Sequence, residues 1–352
     1  MSISFALTEE EGMIRNEAEK FGKVLYENAR KFEKDGVPVS LFDQYKELGF
    51  MNMDWPEKLG GQHLPFFVKS LVIEELSKGC FSTTLHLDRP GFAIYPLLYI
   101  KDSDTKQAIL ERFTSHTNTF EPCIFIDVDK RINFKDGKLT GKLFYLPCHD
   151  PVLVIILQGN KLFCIEDGIT ASPVLPCALH AAGACEATID SKPILYEELE
   201  EKVLRNIYTR LRLYIASGIL GISRASYEYA LKYTQERVAF GKSIAHHQGI
   251  AFILADMSIE IAATQLSIWK AAWLLEQDNG FEQSALALIQ SQECGLFVTN
   301  YGVQLLGGHG YIKDHPVEKW MREARTATVI LGGRDAAQID LEDKMMKEWG
   351  FI

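Results

Sequence analysis

Apolar residues recur with the period of an α-helix through the first third of the chain. Thr8 and Glu11 have the spacing of a capping box, and apolar residues follow at helical intervals to about Lys31. Three more segments show the same amphipathic pattern and are predicted to be helices: 40–48, which stops at Gly49, 65–79 and 102–115.

The pattern changes at about residue 119, where short β-rich runs broken by Asp-Gly, Gly-Asn and Pro begin. These runs predict a mostly antiparallel β domain. Helical periodicity returns after Glu197 and continues to the end of the chain. We therefore predict an α+β, mostly α chain with three domains: an all-α domain 1–118, a small middle β domain 119–195 and a helical bundle 196–352. The long helical segments of the last domain are expected near 200–236, 246–277, 281–305 and 314–326.

Composition excludes several classes of function. A formal net charge of −10 over 352 residues argues against a nucleic-acid partner, which needs basic patches. No continuous apolar run reaches the roughly 18–20 residues of a membrane span. The N-terminus lacks a basic region followed by an apolar core, so we expect a cytoplasmic protein. The seven cysteines are scattered without CxxC pairs and are expected to be buried free thiols, with no metal site.

Two stretches of the last domain could bind a ligand. In "QERVAFGKSIAHHQGIAFILADM" (235–257), Arg237 could hold a pyrophosphate and Phe240 could pack a flat ring. In "QLLGGHGYIKDHPVEKWMREAR" (304–325), clustered glycines allow a close backbone approach. The simpler alternatives are a solvated arginine at a helix end and a tight turn between helices. The adjacent histidines 246 and 247 point about 100° apart on a helix and do not suit one metal ion.

Taken together, these motifs resemble the acyl-CoA dehydrogenase family. The order Arg-x-x-Phe-Gly, Gln, "LADM", "QLLGGHGY" and "KDHPVEKWMREAR" matches that family, and "WPEKLGGQHLPFFVKSLVIEELSKGCFST" (55–83) is similar to its N-terminal signature. The resemblance covers nearly the whole chain and weakens in the β domain. It implies an N-terminal helical domain, a middle β domain and a C-terminal four-helix bundle, assembled as a tetramer. It also implies FAD as cofactor and an acyl-thioester as substrate.

Carried over to this sequence, the resemblance implies specific contacts. Arg212 matches a helix arginine near the substrate site, and Gln248 falls in the bundle region that binds FAD. The remaining matches touch the adenosine diphosphate half of the FAD of a neighbouring subunit; they are Arg237, Phe240, Gln304, Gly307 and Gly308.

The residues that the family uses for catalysis are missing. Counting from "MREAR" places Leu331, or Gly332 with a shift of one residue, where the family has its catalytic glutamate. Leu211 stands where some relatives carry an alternative carboxylate. Asp335 is a weak candidate for a displaced base, because the more ordinary role for it is a solvated residue at a helix start.

The flavin-ring motifs of the middle domain are also reduced. Only "FEP" (120–122) remains of the family's Thr-Glu-Pro-Gly-x-Gly-Ser-Asp loop, and Pro147 replaces a residue that donates a hydroxyl. Proline offers neither a hydroxyl nor an N–H group. The region is also shortened. The ring site of this subunit is therefore predicted to be lost.

These losses and retentions predict one subunit of a heteromeric FAD-dependent acyl-CoA dehydrogenase. It would lack its own base and complete the FAD site of a homologous partner, in a heterotetramer acting in fatty acid or acyl-CoA metabolism. An electron-transfer flavoprotein is a further expected partner, and the acyl group could ride on coenzyme A or on a carrier protein. Three alternatives stay open: a self-sufficient dehydrogenase with a base relocated to Asp335 or Asp127, a non-redox enzyme acting on acyl-thioesters, and a flavin-free scaffold.

Overall fold

A computed structural model describes residues 6–115 and 120–348 of the chain. The domain boundary predicted near residue 118 falls on residues 116–119, outside the described residues, and stays a prediction. The described residues divide into two compact units. The bundle unit comprises the described parts of Met1–Ala29, Ser70–Phe81 and Arg212–Ile352, and the sheet unit comprises Arg30–Lys69 and Ser82–Leu211.

The order of elements is the predicted one: helices, then strands, then helices. The described residues form eleven α-helices, some of which run through both units. They are α1 Glu9–Asp35, α2 Val39–Glu47, α3 Phe66–Leu87, α4 Arg89–Ala93, α5 Tyr95–Leu98, α6 Asp104–Thr114, α7 Glu201–Glu236, α8 Gln248–Leu275, α9 Phe281–Leu306, α10 Val317–Ala327 and α11 Gly333–Glu348.

The start of the first helix is the capping box that the sequence predicts. The Thr8 N–H group donates to Glu11 Oε2 at 2.7 Å, and the Glu11 N–H group donates to Thr8 Oγ1 at 3.2 Å. These two bonds satisfy backbone donors that have no partner within the helix. The local signal therefore determines where α1 begins.

The third helix breaks where the sequence predicts its end, directly after Gly79. Cys80 has non-helical dihedral angles (φ −163°, ψ 106°), and a second helical segment then continues α3 to Leu87. Gly79 also allows a close helix contact. A Cβ atom at Gly79 would lie 2.1 Å from the carbonyl oxygen of Gly22 on α1, so glycine allows the two helices to touch.

Two four-stranded sheets form the β part of the sheet unit. Their strand orders are β1-β4-β5-β8 and β2-β3-β7-β6, and every pairing is antiparallel except β1 with β4. One cluster of buried apolar side chains draws from both sheets and forms their core. The strands are β1 Pro122–Ile126, β2 Asn133–Lys135, β3 Lys138–Leu146, β4 Leu153–Gln158, β5 Lys161–Ile165, β6 Ile169–Pro173, β7 Cys185–Ser191 and β8 Leu195–Glu198.

Helix α8 is more apolar on average than the search for continuous apolar runs indicated. Its 28 residues include an 18-residue window of mean hydropathy 1.4, long and apolar enough to cross a membrane by length and composition. A single helix of this kind is weak evidence for a membrane span, because core helices of soluble proteins share the property. Only 17% of that window is buried within this chain, and the other residues are partly or fully exposed.

The cysteines follow the sequence prediction with one exception. All seven are free thiols, and six of them are buried. Cys177 is exposed, because it lies in the connection between β6 and β7 rather than on a strand that faces the core.

Candidate functional site

The end of α7 presents Arg237 and Phe240 at a tight hairpin in the bundle unit. Two short strands, β9 Val238–Ala239 and β10 Lys242–Ser243, pair antiparallel around Phe240 and Gly241. Both turn residues have positive φ angles, 51° and 80°, as a two-residue hairpin of type I′ requires. The turn leaves the Phe240 side chain 95% exposed.

The second glycine-rich stretch forms the exit from α9. Gly307 takes φ +58° and ψ −132°, a conformation that residues with a side chain avoid. No atom lies within 4 Å of the position that a Cβ atom would occupy on Gly307 or on Gly308. The peptide backbone is therefore open to a ligand at this point.

These two regions meet in one cavity of about 370 Å³. Four residues predicted from the sequence to contact FAD lie on its wall. The full set of lining residues is Tyr233, Arg237, Ile244, Gln304, Leu305, Leu306, Gly307, Gly308 and His309.

The polar groups of this cavity are available to a ligand. Arg237 and Gln304 are exposed, and neither side chain forms a hydrogen bond or an ion pair with the described residues. A guanidinium group without a protein partner, beside an amide and an accessible backbone, suits a diphosphate. The donor set thus fits the adenosine diphosphate half of a dinucleotide cofactor.

The sequence missed the two residues of this cavity whose polar side chains bond to each other, and it included two residues that lie outside the wall. Tyr233 lies one helical turn before Arg237 on α7, and its hydroxyl group is 2.8 Å from Nδ1 of His309. Phe240 and Gln248 do not line the cavity, although both are exposed. The i, i+4 spacing of Tyr233 and Arg237, which places both on one face of a helix, was the sequence signal that could have identified Tyr233.

The position counted as the family's base carries no carboxylate. Leu331 has a left-handed backbone (φ 59°, ψ 33°) and is followed by Gly332 and Gly333, which also have positive φ angles. Asp335 is exposed in the first turn of α11, where an acidic residue complements the helix dipole. That placement fits the solvated role considered for it.

Arg212 is held by a partner that sequence reasoning did not identify. It is buried on α7 and forms an ion pair with Asp340 on α11. Its guanidinium also lies over the ring of Phe281, 4.8 Å from the centroid. Asp340 is thus the acidic side chain paired with the arginine predicted near the substrate, whereas Leu211 is fully buried.

In the sheet unit, Arg89 of α4 binds the remnants of both flavin-ring motifs. Arg89 is buried and forms an ion pair with Glu121 of "FEP" at 3.2 Å. Its guanidinium also donates to the carbonyl oxygens of Ala182, at 2.7 Å, and Pro147, at 3.5 Å. The other oxygen of Glu121 accepts the N–H groups of residues 149 and 150, each at 3.0 Å. The carboxylate of Glu121 and the carbonyl oxygen of Pro147 therefore already have hydrogen-bond or ion-pair partners within the chain.

Asp127, the other candidate for a relocated base, is a structural residue. Its carboxylate accepts the N–H groups of Arg131 and Ile132 at 2.8 Å each and the side-chain amide of Gln158 at 2.7 Å. Asp127 is also buried. A carboxylate with three donors in a turn is poorly placed to take a proton from a substrate.

Comparison with protein families gives two matches, one at each end of the chain. The model of the acyl-CoA dehydrogenase N-terminal domain matches residues 8–117, and that of the C-terminal domain matches residues 202–345. Among curated proteins, the short-chain specific acyl-CoA dehydrogenase of Rattus norvegicus mitochondria is 26% identical over 391 residues. That alignment covers 98% of this chain and 92% of the relative.

Solved structures with the same fold cover nearly the whole chain. A chain from the structure of the electron transferring flavoprotein of Acidaminococcus fermentans superposes with a TM-score of 0.86 at 23% identity, covering 98% of this chain and 100% of the other. Butyryl-CoA dehydrogenase from Megasphaera elsdenii gives 0.85 at 22% identity with the same coverage. The helical order, the motifs of the bundle unit and the two domain matches agree, and the chain belongs to the acyl-CoA dehydrogenase family.

Proposed function

We propose that this chain is a subunit of an FAD-dependent acyl-CoA dehydrogenase that completes the FAD site of a homologous partner and lacks a working site of its own. The observation that carries the proposal is the cavity lined by Arg237, Gln304, Gly307 and Gly308. It retains the groups that the family resemblance assigns to a neighbour's cofactor. The coarser statement, membership of an oxidoreductase family, does not depend on this proposal.

The role of this chain at the shared cofactor would be to bind and orient. Arg237 would neutralise the diphosphate, and the open backbone at Gly307 and Gly308 would let the cofactor approach closely. FAD, when bound, accepts the hydride that leaves the β-carbon of the acyl-thioester. The carboxylate that removes the α-proton would come from the partner subunit.

Two observations support the proposed loss of the chain's own site: Leu331 stands at the position of the family's catalytic base, and Arg89 is paired with Glu121. Leu331 cannot accept a proton, and a positioned general base is worth about 10²–10⁴ in rate. Arg89 and Glu121 bind each other in the segments that would otherwise contact the flavin ring. Because hydride transfer needs the ring held at reaction distance, losing both functions makes independent turnover improbable.

An uncovered apolar stripe on α8 supports an oligomer. Apolar residues are exposed at heptad-like spacing along one line of this helix, and a surface of this kind favours packing against another helix. They are Phe252, Ala255, Ile259, Ala262 and Leu266. A heterotetramer with a homologous subunit would bury this stripe.

Co-expression tests the proposal directly. The chain purified alone is expected to be colourless and inactive. The same chain co-expressed with each homologous acyl-CoA dehydrogenase of its own organism should yield, with the right partner, a yellow complex that oxidises acyl-thioesters. A yellow, active homomer would refute the partner-subunit role. A complex that stays colourless and inactive with every homologue would favour the scaffold alternative.

The interface has its own test. Ile259→Asp places a charge in the exposed stripe of α8, and we expect it to dissociate the complex in size-exclusion chromatography with light scattering. Ser258→Asp, at an exposed position about 100° around the same helix from Ile259 and outside the stripe, is the matched control. An Ile259→Asp complex of unchanged mass would show that α8 is not the interface. The cytoplasmic location is also a proposal, which cell fractionation tests.

A further inference from the structure

The bundle unit contains a second cavity that shares no lining residue with the first. Its volume of about 450 Å³ lies within the range of small-molecule sites, about 300–1,000 Å³. Helices α1, α3, α7 and α10 supply its wall. The lining residues are Glu19, Gly22, Lys23, Tyr26, Glu75, Lys78, Gly79, Ala225, Glu228, Tyr229, Lys232 and Trp320.

Three aromatic rings of the wall contact one another and hold one another in place. Tyr26 stacks on Trp320 with centroids 6.2 Å apart and an interplanar angle of 20°. Tyr229 meets the same indole edge-on at 5.9 Å, and its hydroxyl group is 2.7 Å from Nδ1 of His315. A group of ordered rings of this kind suits a flat apolar body.

Nearly all the charges around the cavity are already neutralised by protein partners. Lys23 pairs with Glu19 at 3.1 Å, and Lys78 pairs with Glu228 at 2.6 Å. The third carboxylate, that of Glu75, binds Arg15 and Arg224 at 2.8 Å each. No carboxylate of the wall is left to recognise a cation.

Lys232 is the exception among the charged residues of this wall. It lies on the exposed side of α7, one turn after Glu228, and forms no ion pair or hydrogen bond with any described residue. An ammonium group at the rim of an aromatic cavity attracts an anion. Burial raises the pKa of both Tyr26 and Tyr229, so these phenols stay neutral and do not repel it.

We propose that this cavity, with its wall of Tyr26, Tyr229 and Trp320 and its unpaired Lys232, binds a small aromatic carboxylate. The ring would lie against the aromatic wall, and the carboxylate would reach the ammonium group of Lys232. The proposal is independent of the shared FAD site, because neither Arg237 nor any other residue of that cavity takes part.

Calorimetric titration of the full chain with 2-naphthoate tests this site, with 2-naphthylmethanol as the neutral analogue. We expect the acid to bind about tenfold more tightly than the alcohol, as one charge-assisted hydrogen bond provides. Lys232→Met should weaken binding of the acid about tenfold to the level of the alcohol. Lys232→Arg should retain the preference for the acid.

Two further variants locate the binding site. Lys202→Met removes an exposed lysine from the first turn of the same helix, outside the cavity, and should leave the affinity unchanged. Trp320→Phe should abolish the part of the tryptophan fluorescence that the acid quenches, while circular dichroism confirms the fold. Equal affinities for acid and alcohol that Lys232→Met does not change, or no binding of either at millimolar concentration, would overturn the proposal.

Discussion

The cavity lined by Arg237 and Gln304 in the bundle unit and the cluster of Arg89 with Glu121 in the sheet unit differ in how their polar groups are used. In the cavity, Arg237 and Gln304 are exposed and have no partner among the described residues. In the cluster, the Arg89 guanidinium is buried against Glu121 and two carbonyl oxygens. Polar groups left open are available to a ligand, whereas groups bound to each other stabilise the fold. Under the proposed function, the first arrangement would serve a partner's cofactor and the second would replace a site of the chain's own.

The largest effect, on the free energy of unfolding, is expected from removing the positive charge of Arg89 in the sheet unit. Arg89→Leu leaves the partly buried Glu121 without its cation, and breaking such a pair costs up to about 3–5 kcal/mol of unfolding free energy. Denaturant unfolding of the isolated chain measures the loss. Arg131→Leu is the matched control, because its ion pair with Asp129 is exposed and worth less than about 1 kcal/mol. Equal losses in the two variants would contradict a structural role for Arg89.

In the cavity, removing an arginine is expected to weaken cofactor binding and to leave the stability of the fold nearly unchanged. Arg237→Ala in the assembled complex should weaken FAD binding about 10- to 100-fold, as the loss of a charge-assisted contact predicts. Stability should change by less than about 0.5 kcal/mol, because the side chain is exposed. Flavin absorbance after dialysis gives the affinity.

Arg325→Ala, an exposed arginine of α10 outside the cavity, is the control for that experiment. If both arginine variants hold FAD as tightly as the unmodified complex, the cavity is not part of the cofactor site.

A pH-dependent effect on stability is expected at His86, beside Arg89. Burial and the positive charge of Arg89 lower the pKa of His86 to about 3, against 6.5 for the free side chain. Between these values the unfolded chain binds a proton that the folded chain does not, so His86 lowers stability as the pH falls below 6.5. The penalty is at most about 1.4 kcal/mol per pH unit.

His86→Gln removes this titration and should lose less stability than the unmodified chain between pH 7 and pH 4. Thermal melting of both proteins across that range measures the difference. Parallel melting curves at every pH would show that His86 is free to take a proton in the folded state.

The smallest effect, on dehydrogenase activity, is expected from a substitution at Leu331, the position of the family's catalytic glutamate. Leu331→Glu introduces a carboxylate, but the proposed function also predicts the loss of the flavin-ring contacts, so we expect no dehydrogenase activity from the isolated chain. Acyl-CoA oxidation with an artificial electron acceptor is the assay. Activity in this variant would show that the ring site is intact and that the base alone was missing.

Sequence alone determined the parts of this protein that depend on local or periodic signals. The capping box at Thr8, the order of helices and strands, and the motifs around Arg237 and Gly307 all follow from short-range chemistry. The sequence predicted the break of α3 after Gly79 but not the contact of Gly79 with Gly22, because that contact depends on how α1 and α3 pack. A glycine has the same local signature whether it ends a helix or allows close packing.

Only the tertiary structure decided which side chains share a site. It placed Tyr233 and His309 beside Arg237, and it paired Arg212 with Asp340 across 128 residues of sequence. It also showed that Arg89 binds Glu121 and the carbonyl oxygen of Pro147, in the two segments where the sequence retains only part of the family's flavin-ring motifs. Contacts between residues distant in sequence depend on how helices and strands pack, and no spacing along the chain encodes that packing directly. The sequence shows which residues are present, and folding decides which of them remain free for a partner or a ligand.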